Sequence, residues 1–166
     1  MREAEAKRDS QQIVELTATA RRLREEISPV LTVLGTVTPS SGQAGPEEAR
    51  QWRQTMQRAT ELFANPPSGT TATNVARGGL RSAVEQGSLA VDSYLLAVTG
   101  PSTQRAALTE LAKRQAVQAV EAWSVAATQL DQLNIDAGQG HQHVYLETGP
   151  GGDAITPDGA EEGSGG

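Results

Sequence analysis

His141, His143 and Glu147 are the side chains in this sequence best suited to metal chemistry. Side chains alternate along an extended backbone, so in a strand these three would share one face with Tyr145. Two imidazoles and a carboxylate are a donor set for a divalent transition metal. The same residues, set in a glycine-rich stretch, also read as a solvated or docking tail, and short motifs of this kind recur by chance. The expectation is therefore no specific metal and no cofactor, with His141, His143 and Glu147 as the metal candidates.

The spacing His141-x-His143-x3-Glu147 resembles the first metal motif of the cupins. That resemblance implies a β-barrel and a later histidine, and this chain has only two histidines. His141-Gln142-His143-Val144 followed by Gly151-Gly152-Asp153-Ala154-Ile155 is similar to the ending of short uncharacterised proteins from bacterial and phage genomes, with a longer spacer from Tyr145 to Pro150. The resemblance implies a phage or mobile-element setting and carries no activity.

Other chemistries are limited by inventory. The chain has no cysteine, which excludes disulfides, thiolate metal sites and thiol catalysis. The helical stretches lack histidine, so the Glu-x-x-His pairs of di-metal bundles are absent. Neither a phosphate-cradling P-loop nor a serine nucleophile elbow is present. The expectation is a protein that is not an enzyme.

Arginines supply the remaining candidates. Arg21, Arg22 and Arg24, then Arg77 and Arg81, could meet phosphates as a nucleic-acid-binding face. Glu25, Glu26, Glu47 and Glu48 lie among the basic residues, and mixed charge of this kind marks solvated helix faces. All 14 Lys and Arg residues precede position 135, where they meet 14 acidic ones, so the net charge of −6 belongs to the last 32 residues. A body neutral overall is a poor phosphate binder.

The elements that must position these residues are helical. Ile13, Leu16, Ala20, Leu23, Ile27, Val30 and Leu34 follow at spacings of three and four, the seam of a helix. Pro29 interrupts this seam and predicts a kink, or a restart capped by Ser28. Gly45-Pro46-Glu47-Glu48 opens a second helix with the seam Ala49, Trp52, Met56, Ala59 and Phe63. A third spans about Thr73 to Thr99 with Leu80, Val84, Gly87, Val91, Leu95 and Val98, and with Gly79, Ala83 and Gly87 as a line for close backbone approach. Gly100-Pro101 ends it, and Ser102 can cap a fourth helix that carries Ala112, Ala116, Ala119, Trp123, Ala126, Leu130 and Leu133 to Asn134.

Four seams of one period predict an all-α fold, an elongated up-down antiparallel four-helix bundle over residues 1–134. Residues 135–166 hold nine of the 17 glycines and six acids, a composition that predicts a flexible acidic tail with a short strand or docking segment at 141–146. The first nine residues are charged in both signs, unlike a signal peptide, and Leu89–Val98 is too short to span a bilayer. A cytoplasmic location follows, or a virion-associated one if the gene is phage-borne.

The function expected is that of a non-enzymatic helical interaction or assembly protein with a protein partner or a second copy as its target. Ile13, Leu16, Leu23 and Ile27 of the longest seam and Val144, Tyr145 and Leu146 of the tail are the partner-binding candidates. The rival is a small regulatory nucleic-acid binder, its acidic tail competing with phosphate for Arg21, Arg22, Arg24, Arg77 and Arg81. A secreted helical hairpin of the WXG type fits less well, because Trp52 is followed by Arg53-Gln54 inside a helix.

Overall fold

The computed structural model describes residues 2–40 and 44–146. Among them are four α-helices: α1 (Arg2–Thr36), α2 (Pro46–Glu61), α3 (Thr71–Thr99) and α4 (Arg105–Asp136). A turn of 3-10 helix, Ser102–Gln104, precedes α4. The helices pack as a bundle around one core to which every seam contributes. α1 touches the other three, and α3 touches both α2 and α4.

α1 runs unbroken through Pro29, so Ser28 is an interior residue rather than a cap for a restarted helix. Proline removes one backbone donor and leaves the carbonyl four residues earlier without its bond. Pro29 and Glu25 are both exposed, so water can take up that carbonyl and the seam continues in register. Ile13, Leu16, Leu23 and Ile27 are all buried in the chain's own core.

α2 begins as expected, with Pro46 in its first turn, Glu47 and Glu48 beside it and Gly45 as N-cap. α3 starts two residues before the expected Thr73. Its N-cap Thr70 accepts from the Thr73 amide, and both threonine hydroxyls donate to Asp9 Oδ1 at 3.1 Å. Gln12 Nε2 donates to Ser68 O at 2.7 Å, so the loop between α2 and α3 is tied to α1 at two places.

Gly79 faces α4, whereas Gly87 faces α1 and α2. A Cβ on Gly79 would stand 2.9 Å from Ala126 Cβ, and one on Gly87 would stand 2.7 Å from Met56 Cε and 3.3 Å from a Leu31 methyl. Glycine costs a helix about 1 kcal/mol relative to alanine; at Gly79 it permits close approach of α4, whereas at Gly87 the space is taken by the ends of the Met56 and Leu31 side chains. Gly79 faces Ala126, Ser93 Oγ donates to Gln115 Oε1 at 2.6 Å, and Arg105 Nε donates to Ala97 O at 3.4 Å. Later residues of α3 thus meet earlier residues of α4, an antiparallel hairpin. Ser102 does not cap α4 as expected: it opens the 3-10 turn, and Gln104 holds the cap position without a side-chain bond. Gly100 is extended rather than left-handed.

Candidate functional site

The helical body extends past the expected boundary at Asn134. α4 continues to Asp136 and stops in a two-bond glycine turn: Gly138 N–H donates to Ile135 O at 2.9 Å and Gln139 N–H to Asn134 O at 2.8 Å. Gly138 sits at φ +73° and Gly140 at +71°, left-handed conformations that disfavour any residue with a Cβ. The two glycines reverse the chain. The following residues, 141–146, then run back between α1 and α4.

This segment is extended without strand pairing, because its neighbours are helices and its backbone bonds go to side chains. Trp123 Nε1 donates to Val144 O at 2.7 Å, and Arg24 donates to His143 O at 3.3 Å. The Gln142 amide donates to Asp131 Oδ1, while Gln139 Nε2 donates to Ser10 Oγ at 3.2 Å. Alternation then sorts the side chains. Val144 and Leu146 point inward and are 0 % and 4 % exposed. His141, His143 and Tyr145 share the other face, with ring centroids 5.6 and 6.1 Å apart along the row, and the Tyr145 hydroxyl lies 3.0 Å from Thr128 Oγ1.

Burying Val144 and Leu146 stabilises the segment by about 1.5–3 kcal/mol each. Fixing six backbone residues costs about 1–2 kcal/mol apiece. Burial of these two side chains does not by itself offset the ordering of six residues, so the polar anchors decide whether the segment stays down.

Asp131 is the central anchor. Its side chain is 4 % exposed; Oδ2 lies 2.9 Å from Nδ1 of His141, whose side chain is 58 % exposed. Burial raises the carboxyl pKa, but the hydrogen bonds from His141 and the Gln142 amide, with the charges of the two imidazoles, outweigh it and leave it below the ordinary value. Asp131 is therefore an anion at neutral pH. With His141 and His143 it presents three donor atoms that all lie within 4.8 Å of one another. Glu147, the carboxylate expected in this role, lies outside the described residues.

Asp131 escaped the sequence reading, although it carried a signal. It follows Leu130 of the α4 seam and stands at helical spacing from Ala127 and Asn134, both buried. An acid within a buried helix face is rare unless something pairs with it. Asn134 completes this face: its Nδ2 donates to Thr17 Oγ1 of α1 at 3.0 Å and to Leu130 O at 2.8 Å.

The candidate arginines are dispersed over intramolecular partners. Arg77 is buried and donates to Asn74 Oδ1 at 2.8 Å and Pro67 O at 3.4 Å. Arg81 pairs with Glu85 at 2.8 Å and Arg22 with Glu26 at 3.7 Å, while Arg24 holds the tail carbonyl described above. Arg21 is exposed on α1. An open depression of about 620 Å3 beside the C-terminal end of α2 is lined by Gln57, Thr60, Glu61, Phe63, Arg81 and Ser88, among others, and gathers one acid and one base. Among the described residues, no helix is long and apolar enough to cross a membrane.

No protein-family model matches the chain, and no curated protein or solved structure shows significant similarity to it.

Proposed function

We propose that this chain is a non-enzymatic helical interaction or assembly protein whose recognition element is the groove between α1 and α4, together with the extended segment that fills it. The observation that supports this most directly is the hydrogen bond from Trp123 to Val144. Trp123 is 0 % exposed, and its indole N–H meets a backbone carbonyl of the segment. A buried donor left without a partner costs about 1–3 kcal/mol. The groove is thus matched to an extended backbone at Trp123 and at Asp131, and the segment that supplies that backbone is held by exchangeable contacts. The same segment reaching the groove of a second copy, or an extended partner peptide replacing it, would satisfy the same donors.

The helix pairings support an up-down order for the bundle. Asp9 meets Thr73 and Leu31 meets Gly87, so α1 and α3 run alike. Arg53 meets Asp92 at 3.3 Å and Met56 meets Gly87, so α2 runs against α3, as α4 does. In that arrangement α1 and α4 are antiparallel neighbours, joined directly by the bond from Asn134 to Thr17. The seam of α1 then serves the chain's own core, which leaves the segment and groove as the exchangeable surface.

The test releases the segment in the full-length chain by Val144→Asp with Leu146→Asp. A labelled peptide of residues 137–146 is expected to bind the released variant saturably and the parent weakly. The variant's mass by light scattering is expected to stay at one chain, because its own segment no longer fits any groove. Absence of peptide binding to a variant that keeps its helical circular dichroism would remove the reading.

A further inference from the structure

We propose that Asp131, His141 and His143 form a binding site for a divalent transition-metal ion of the zinc class, which clasps the extended segment onto α4. The argument rests on geometry and donor chemistry. Two donors held by one zinc at about 2.0–2.2 Å stand roughly 2.8–3.6 Å apart for angles between a right angle and the tetrahedral one. Asp131 Oδ2 and His141 Nδ1 are 2.9 Å apart, already at that separation. The His143 donor lies within 4.8 Å of both, and its ring belongs to an exposed residue on the same face, so side-chain rotation alone can bring it in.

The donor set selects the ion. Two imidazole nitrogens and one carboxylate suit zinc, cobalt, nickel or copper, whereas magnesium and calcium prefer oxygen cages. Asp131 is fixed by its second oxygen, which accepts from the Gln142 amide, the kind of outer contact that orients a metal-bound carboxylate. The two imidazoles face solvent, which gives an ion an entry path and room for water at a fourth position. Arg24, bonded to the His143 carbonyl, sets a positive charge nearby and keeps the affinity below that of a closed four-ligand site.

The consequence is a metal-dependent fastening of a segment that is otherwise marginally held. Ligation would link His141 and His143 to α4 across the turn made by Gly138 and Gly140, adding to the Trp123 anchor farther along.

The experiment uses the full-length chain after chelator treatment. Cobalt is titrated while its visible absorption is followed, and zinc is titrated while the melting temperature is followed. The expected result is a saturable cobalt signal at one ion per chain, displaced by zinc, and a melting temperature raised by about 5–10 °C when free zinc exceeds its Kd a hundredfold. His143→Gln is expected to shift the metal-free melting temperature by less than about 2 °C and to abolish both signals. His141→Gln is expected to abolish the cobalt signal as well. Equal binding by the parent and His143→Gln, as adventitious contact with tail acids would give, overturns the proposal, and so does the absence of saturable binding at millimolar ion. Peptide exchange at the groove is read separately, so failure of the metal site leaves that reading intact and the converse also holds.

Discussion

α4 presents two faces built on opposite principles. Toward α3 it offers alanines, and Gly79 lets Ala126 approach where a methyl group would collide. Toward α1 and the returning segment it offers Trp123, Asp131 and Asn134, each buried and each hydrogen-bonded outside its own side chain. The first face gains from close van der Waals contact and cannot tolerate added volume. The second is closed by a short segment whose apolar burial falls short of its ordering entropy, so hydrogen bonds to Trp123, Asp131 and Arg24 hold it in place. One helix therefore joins a contact closed by shape to one closed by hydrogen bonds.

The contrast is open to direct attack, beginning where the effect is largest. Trp123→Ala empties the centre of the groove and is expected to cost about 3–5 kcal/mol in chemical denaturation. A loss below about 1 kcal/mol would mean that the groove is not part of the cooperative core. Trp123→Phe keeps most of the ring but deprives the Val144 carbonyl of its donor. It is expected to cost about 1–3 kcal/mol and to speed protease cleavage within 137–146, with the helices unchanged by circular dichroism.

Gly79 and Gly87 of α3 separate rigid from yielding contact. Gly79→Ala forces a methyl against Ala126 Cβ, which cannot move without its helix, and is expected to destabilise by about 1 kcal/mol after the helix-propensity gain. Gly87→Ala meets Met56 Cε, the free end of a flexible side chain, and is expected to leave stability unchanged or raise it by up to about 1 kcal/mol. Equal effects at both sites would contradict the distinction between the rigid Gly79–Ala126 contact and the yielding contact at Gly87.

Tyr94 provides a polar anchor away from the groove. Its hydroxyl donates to Ala44 O at 2.7 Å, and its ring lies 5.7 Å from that of Trp52. Burial, helped by Glu48 and opposed by Arg105, holds the phenol above its ordinary value of 10.0. The folded chain keeps this proton longer than the unfolded one, so the contribution is intact below about pH 10 and lost as pH rises through the raised value. Tyr94→Phe is expected to flatten that alkaline limb of a melting-temperature profile. The smallest effect belongs to the exposed pair Arg53–Asp92, whose removal by Arg53→Ala should shift stability by less than about 1 kcal/mol.

The helices were legible because a repeat of three and four is a local property. Each seam supplies buried residues, and the breakers at Gly45-Pro46 and Gly100-Pro101 stand where the structure turns. Pro29 was harder, since a proline's effect depends on whether the orphaned carbonyl meets water. The returning segment was only half legible. Alternation placed His141, His143 and Tyr145 on one side, but the inward path of Val144 and Leu146 depends on Trp123 and Arg24, which lie 21 and 119 positions from the groups they hold. Gly138 illustrates the limit of composition: counted among tail glycines it suggests flexibility, whereas two residues past the end of α4 it is a helix stop. The metal-capable cluster was anticipated by its histidines and missed in its carboxylate, because Asp131 is ten residues from His141 and joins it only after the chain reverses.

The groove also fixes an order of events during synthesis. Chains emerge from the amino end and begin folding as they do so. α1 appears first, yet its neighbours α4 and the segment at 141–146 are among the last described residues to be made. The side of α1 that meets α4 waits while roughly a hundred further residues are translated, several seconds or more at about 5–20 residues per second. A chain that stalls after α4 but before Val144 would display a helical body with its tryptophan donor still unmatched, a distinctive mark by which a chaperone or protease could tell an unfinished molecule from a finished one.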